Sequence, residues 1–426
     1  MRSRLWKKLP LPTLLTLLDQ AGVSGSNFLL GILLTRWMGL EGYGYFALAW
    51  LGVLFASSLQ QAVIIMPMMS LGPKKAGAAQ VSYYRASFWL QMGFIALVGM
   101  FGLGLSALPA SLKETWEIAA LFPYWPWLMM AFVAQEYFRR YAFITFRPQY
   151  ALVLDIIAYG GMLAGICVPY LMGIQLSEVL WFTSLSFAGA ALVGCWIFRE
   201  LWFHSRHENI ALPAAITAHW EFSSWLLGKA ILQFFSGNYF LIAAGTLLGP
   251  RALGALRMAQ NLVGLTHVLF LAMENAVPVK ASLAYANDGW DGLWKYLKVI
   301  SWKAGGGILG ILLLLALSAH PLIGWVYGEA YQAYAYLLIG FCALYVLLLP
   351  GYPLRFALRA LESTQALFWA YLFNTGFSLL AATYFVQTWQ EMGVLYGMGI
   401  GHLIMTMCLV IWLRMKRNHL LEISSQ

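Results

Sequence analysis

The sequence predicts an all-α polytopic membrane protein whose twelve transmembrane helices form two six-helix bundles. Three observations predict it. The 426 residues are 61% hydrophobic and 10% charged, with a mean hydropathy of +0.71, whereas a soluble domain carries about 25% charged and about 45–50% apolar residues. Apolar stretches of spanning length alternate with breaks rich in charge or turn residues. The two halves of the chain also overlay at an offset of 210 residues.

Taken in order, the spans fall at 13–37, 43–69, 86–108, 119–141, 150–173, 178–201, 222–248, 252–282, 298–318, 331–358, 364–386 and 392–413. The opening "MRSRLWKKLPLPTLLTLL" has the basic-then-apolar pattern of a signal peptide. Its apolar run continues past Asp19 and Gln20 to Trp37, too long for a signal h-region, so it is expected to stay as the first span. Spans 1 and 2 meet at Gly39-x-x-x-x-Gly44, read as a tight external hairpin in which glycine permits the reversal. The same punctuation, Gly249 to Gly254, separates spans 7 and 8, and Pro250 bars helix 7 from continuing. In span 10, "LLLPGYPLRFALRAL" places Pro350 and Pro353 three residues apart. Freed carbonyls at that depth are tolerated only when buried in protein or lining a cavity, so a hinge and an ordinary kink are both open there. The longest connection, about 202–221, has no room for a soluble domain.

Basic residues set the orientation. With the N-terminus in the cytoplasm, 21 of the 26 Lys and Arg fall in inside segments and three, Arg36, Lys113 and Arg251, fall outside; Lys229 and Arg257 lie within spans. That bias satisfies the positive-inside rule and places both termini on the cytoplasmic side. It also accounts for the net charge of +9 as a belt facing anionic lipid. With no soluble basic domain, nucleic acid is not an expected partner.

In the overlay of the halves, Asn27 lands near Asn238, Thr35 near Thr246, and Gly39 and Gly44 on Gly249 and Gly254. Farther on, Pro67 falls on Pro278. Each half holds six spans, an even number, so the lobes 1–210 and 211–426 are expected to be parallel repeats related by a pseudo-twofold axis along the membrane normal. A cleft between two such lobes makes a transporter the expected class.

The stretch "DQAGVSGSNFLLGILLTRWMGLEGYGYFALAW", followed by "SSLQQAVIIMPMMS", resembles the N-terminal half of Wzx-like oligosaccharide flippases. These belong to the multidrug/oligosaccharidyl-lipid/polysaccharide (MOP) exporter superfamily. The resemblance is clearest over residues 19–70 and recurs over 223–282. It implies a MATE-like pair of bundles working by alternating access. The implied cargo is a polyprenyl-pyrophosphate-linked oligosaccharide, carried to the outer leaflet for surface or exopolysaccharide synthesis. Glycosyltransferases and a polysaccharide polymerase are then the expected partners.

Ionisable groups inside spans usually face the bundle interior or a water-filled path. Asp19, Asp155, Lys229, Arg257, His267, Glu274 and His402 are the candidates here. Asp19 and Lys229 are 210 residues apart, at equivalent places with opposite charge. Each lies about 10 Å above the cytoplasmic end of its helix, counting 1.5 Å per residue. Two pairings are open for Lys229: a gate across the lobes with Asp19, or a pair inside its own lobe with Glu274. Lys229 and Arg257 are also candidate phosphate ligands, and arginine offers forked donors to phosphate oxygens. Asp155 is a candidate coupling acid. Asn27, Gln60, Gln61, Asn238, Gln260, Asn261 and Asn275 either line the cleft for sugar hydroxyls or hydrogen-bond between helices. Glu136, Arg139 and Arg140, at the end of span 4, are expected to snorkel at the interface.

Enzymatic readings find little support. Asp288 and Asp291 in "NDGWDG" read as a turn. His204, His207 and Glu208 lack a fourth partner and read as a solvated loop. The four cysteines (Cys167, Cys195, Cys342 and Cys408) lie in spans without metal-ligand spacing, so no metal and no cofactor is expected. The rival functions are a cation-coupled multidrug exporter titrating Asp19 or Asp155, and a membrane glycosyltransferase or polymerase. An enzyme of the latter kind needs no internal repeat.

Overall fold

The computed structural model describes residues 11–109, 119, 121–173, 175–203 and 212–424. Arg2, Arg4, Lys7, Lys8, Lys113, His204, Arg206, His207 and Glu208 therefore lie outside the described residues, as does the side chain of Asn275. The described residues are helical almost throughout, with no strand among them. They divide into two compact units, Met1–Ile231 and Leu232–Gln426.

The first unit opens with α1, Leu11–Gln60, which is broken at Gly39. A π-helical turn, Gln61–Ile65, leads into α2, Met66–Leu71, and then α3, Gly77–Ser106. Next come α4, Trp125–Ile144, and α5, Pro148–Asp155. A second π turn, Ile156–Gly160, joins α5 to α6, Gly161–Met172; α7, Leu176–Ile197, follows. The division between units falls inside α8, Leu212–Leu247. The second unit continues through α9, Pro250–Val263, and α10, His267–Leu317, which is broken at Gly289. After α11, Ala319–Val326, and α12, Ala335–Leu348, the chain runs through α13, Gly351–Ala360. It ends in α14, Thr364–Ser424, broken at Gln390.

Eight stretches of described helix are long and apolar enough to cross a membrane, several of them continuous through a break. The segment α4 is outside that set because Glu136, Arg139 and Arg140 fall within its 20 residues. Ten of the twelve predicted spans map onto these stretches in order; span 4 falls on α4 and span 8 on α9 and the start of α10, and the breaks in α1, α10 and α14 fall between consecutive predicted spans. The break in α10 at Gly289 is the turn expected for "NDGWDG".

Backbone reversals recur along the chain. Gly39 (φ 71°), Gly77 (58°), Phe146 (56°) and Gly173 (92°) are followed by Gly249 (88°), Gly289 (62°), Glu362 (55°) and Gln390 (51°). The successive pairs are 210, 212, 216 and 217 residues apart. One correction concerns the second glycine of each hairpin. Gly44 and Gly254 are buried within helices that already run from Leu40 and Pro250. Gly39 and Gly249 alone supply the left-handed residue, and their partners instead give close packing.

In the first unit α4 is the central helix, packed against α1, α3, α5 and α7. Small residues let it approach. A Cβ on Gly52 would strike the Trp125 indole, whose Nε1 donates to the Ala49 carbonyl at 2.8 Å. Tyr137, Phe138 and Tyr141 of α4 join Tyr83, Tyr84 and Phe198 in an aromatic core. In the second unit α13 packs between α10 and α14, burying Phe356 and Leu358 with Leu293, Leu297, Leu367 and Leu409.

Candidate functional site

The most polar buried place in the first unit is built around Arg139. Gln135 and Arg139 are four residues apart on α4 and so project from one face. The Arg139 guanidinium donates from Nη2 to Asp19 Oδ2 and from Nε to Asp155 Oδ2, each at 2.7 Å. Gln135 Nε2 donates to the other Asp155 oxygen at 2.7 Å. Glu136 Oε2 lies 3.5 Å from Arg139 Nη1, and Glu136 Oε1 accepts from Arg140 Nε at 2.6 Å and from Gln61 Nε2 at 3.1 Å. One cluster thus ties α1, the first π turn, α4 and α5 together. Three carboxylates face two guanidiniums, a formal charge of −1.

The side chains of Asp19 and Asp155 are 1% and 4% exposed, and that of Arg139 10%. Burying an isolated charge is prohibitive, so paired geometry is what makes the cluster tolerable. Asp19 Oδ1 is buried without a hydrogen-bond partner among the described residues. Both π turns abut this cluster: one begins at Gln61 and the other follows Asp155 directly. Single π turns inside α-helices occur often at functional sites.

Two expectations are overturned here. Arg139 and Glu136 do not snorkel at an interface; they are buried, and only Arg140 is partly exposed, at 34% of its side chain. The ion pair of Asp19 is with Arg139 inside the first unit, and not the gate with Lys229. The physical reason is the same for both. An arginine on the central helix is surrounded by protein, and the nearest acids become its obligatory partners. Lys229, half-buried on α8, belongs to the first unit, and Glu274, half-buried on α10, to the second.

The remaining candidates divide by what they bond. Gln60 is fully buried; its Nε2 donates to Gln91 Oε1 at 3.0 Å and to the Val133 carbonyl at 2.6 Å. Gln91 donates to the same carbonyl at 3.1 Å. These contacts join α1, α3 and α4, so Gln60 is interhelical glue. Asn238 Nδ2 donates to the Phe234 carbonyl of its own helix at 3.0 Å. Arg257 is half-buried on α9 and donates to Gln260 Oε1 at 2.9 Å. Asn261 donates to Tyr327 at 3.2 Å, and His267 Nε2 lies 2.7 Å from the Tyr345 hydroxyl. Asn27 is half-buried on α1. Of the cysteines, Cys342 is buried, whereas Cys167 is exposed on α6.

The sequence did not single out Gln91 or Gln135, and Arg139, expected at an exposed interface, is enclosed by protein. The available signal was the i, i+4 spacing of Gln135 and Arg139 in an otherwise apolar helix.

No protein-family model matches the sequence, and no curated protein matches it. Solved structures do match over nearly the whole chain. The lipid II flippase MurJ in an inward closed conformation has a TM-score of 0.69 at 13% identity, over 95% of this chain and 87% of that one. A MATE transporter in the straight conformation gives 0.63 at 16% identity, over 96% of each chain. An outward-facing multidrug resistance MATE family transporter of the MOP superfamily gives 0.60 at 14% identity, again over 96% of each. This chain has the fold of the MOP transporters. At these identities the likeness carries architecture and not cargo, so the chemistry must come from the residues above. The fold places the chain as a multi-pass membrane protein whose structural neighbours are transporters.

Proposed function

We propose that the protein flips a polyprenyl-pyrophosphate-linked oligosaccharide from the cytoplasmic to the outer leaflet of a bacterial inner membrane, by alternating access of its two lobes. The observation that carries the choice is Arg139. A cation-coupled multidrug exporter would use Asp19 or Asp155 as its titrating acid, and both carboxylates are engaged by one buried guanidinium at 2.7 Å, a partner that a free cation-binding acid would not have. Lys229 and Arg257, half-buried on apolar helices, have the charge a pyrophosphate requires. Arg257 donates to Gln260, and its planar guanidinium has the forked geometry that phosphate oxygens accept from. The likeness to the MurJ flippase agrees with this reading.

The energetics are favourable. With the cytoplasm negative, moving an anionic headgroup outward gains about 2.3 kcal/mol per charge per 100 mV fully traversed. Cytoplasmic glycosyltransferases would supply the lipid-linked glycan, and a polymerase on the far side would consume it.

The test is reconstitution. Full-length protein in liposomes carrying a fluorescent polyprenyl-pyrophosphate oligosaccharide in the inner leaflet should expose the label to an external quencher. Lys229→Ala and Arg257→Ala should each slow that exposure, whereas Lys113→Ala, a lysine that the sequence puts between spans, should not. Unchanged exposure in both the Lys229 and Arg257 variants would end the cationic-path reading. Export of cationic dyes driven by a sodium or proton gradient would establish the multidrug alternative.

A further inference from the structure

A second site lies in the second unit, beside the paired prolines of span 10. Two cavities of about 370 and 340 Å³ share Ser301, Trp302 and Pro353 and so form one groove along α10. Its two ends differ in chemistry. Lys295 and Lys298 line the end nearest the Gly289 break, both exposed, and neither forms an ion pair among the described residues. Toward the other end the same helix face presents Gly305, Gly306 and Leu309. A Cβ on either glycine would meet nothing within 4 Å. From Lys298 to Leu309 the groove runs about 16 Å at 1.5 Å per residue.

The opposite wall explains the paired prolines of span 10. The helix is interrupted at Leu349 and Pro350, between α12 and α13, and both residues line the groove beside Tyr352. Tyr352 is held by stacking on Phe270, with ring centroids 4.5 Å apart. Broken backbone at membrane depth is found where it lines a cavity, and this cavity is that place. One polar atom of the groove lining lacks a partner among the described residues, as do Asp19 Oδ1 and the Ser87, Tyr137 and Ser223 hydroxyls elsewhere. Ser301 Oγ is buried without a hydrogen-bond partner among the described residues, one helical turn deeper than Lys298. A buried hydroxyl left unpaired is costly, and native proteins rarely keep one without a ligand or water.

We propose that this groove binds one anionic phospholipid of the leaflet on the lysine-rich side. The phosphate sits between Lys295 and Lys298, an ester carbonyl accepts from Ser301, and an acyl chain lies along the glycine face. The order of the features favours a diacyl lipid over an isoprenoid phosphate. A phospholipid carries ester oxygens about one helical turn below its phosphate, at the depth of Ser301, and a polyprenyl phosphate has none. Basic pockets between transmembrane helices are a general mode of binding anionic headgroups.

The experiment is native mass spectrometry of the full-length protein released from nanodiscs of phosphatidylcholine doped with phosphatidylglycerol or with undecaprenyl phosphate. Wild type should retain one phosphatidylglycerol with about tenfold or greater preference over phosphatidylcholine, since each lysine contributes near the surface. Lys295→Gln with Lys298→Gln should abolish the preference. Ser301→Ala should weaken retention of ester-linked phosphatidylglycerol but not of its ether-linked analogue. Gly306→Phe fills the groove from its open face and should expel the lipid with both lysines intact, so a folding defect in the lysine variant would leave the test standing. Equal retention of phosphatidylglycerol and phosphatidylcholine by wild type would overturn the proposal. So would unchanged retention in both the lysine and glycine variants, or displacement of phosphatidylglycerol by undecaprenyl phosphate.

Discussion

Replacing Arg139 by leucine removes the cation that Asp19 and Asp155 share. Both carboxylates are almost completely buried, and each loses a charge-assisted hydrogen bond of 2.7 Å. Breaking a buried ion pair by deleting one partner costs about 3–5 kcal/mol, because the other charge is left uncompensated. The two losses do not add. One side chain serves both acids, and each acid can escape by taking up a proton. The expected destabilisation is therefore about 3–5 kcal/mol in total, or about two to four orders of magnitude in the folding equilibrium. Unfolding in mixed micelles of increasing SDS content, followed by tryptophan fluorescence, measures it. The control is chemical: Arg139→Leu combined with Asp19→Asn and Asp155→Asn removes all three charges. It should recover most of the loss, since a buried ion cluster exchanged for neutral groups is often neutral or stabilising. A single Arg139→Leu variant as stable as wild type would refute the reasoning, as would a triple variant less stable than the single.

Other outcomes follow from the same structure. Exchanging Asp19→Lys and Lys229→Asp together should give less transport than either single change, because the new lysine would face Arg139. Recovery of transport in that double variant would restore the interlobe gate. Gly39→Ala and Gly249→Ala force a positive φ with ψ near 180° on a residue with a Cβ and should each cost about 1–3 kcal/mol in the same unfolding assay; Gly22→Ala, in open space on α1, should not lose stability. Gln91→Leu leaves Gln60, fully buried, without one of its two partners, and should destabilise by about 1–3 kcal/mol. An unchanged unfolding midpoint would mean that the α1–α3–α4 contact is not held by this amide pair.

Much of the architecture is readable one residue at a time. Span positions follow from local hydropathy. The breaks at Gly39, Gly249 and Gly289 follow from the conformations that only glycine adopts cheaply. These are properties of short windows, so no knowledge of neighbours is needed. The paired prolines of span 10 were also legible as a break, although not what the break would line.

Which side of each helix meets which partner was decided only by the tertiary structure. A soluble helix declares its buried face through an apolar stripe, but a helix apolar all round declares none. Asp19 and Lys229 sit at matching places in sequence, and that symmetry pointed to a pair between lobes. Packing instead put α4 at the centre of its bundle, with Arg139 directed at α1 and α5. A guanidinium enclosed by protein cannot leave its charge to solvent, so it takes the nearest acids. The same holds for Gln60, whose partners come from residues 91 and 133, and for Ser301, whose hydroxyl is stranded by the packing of α10 against the broken span. Composition placed polar groups in the membrane; only the packing of the helices determined which of them are satisfied.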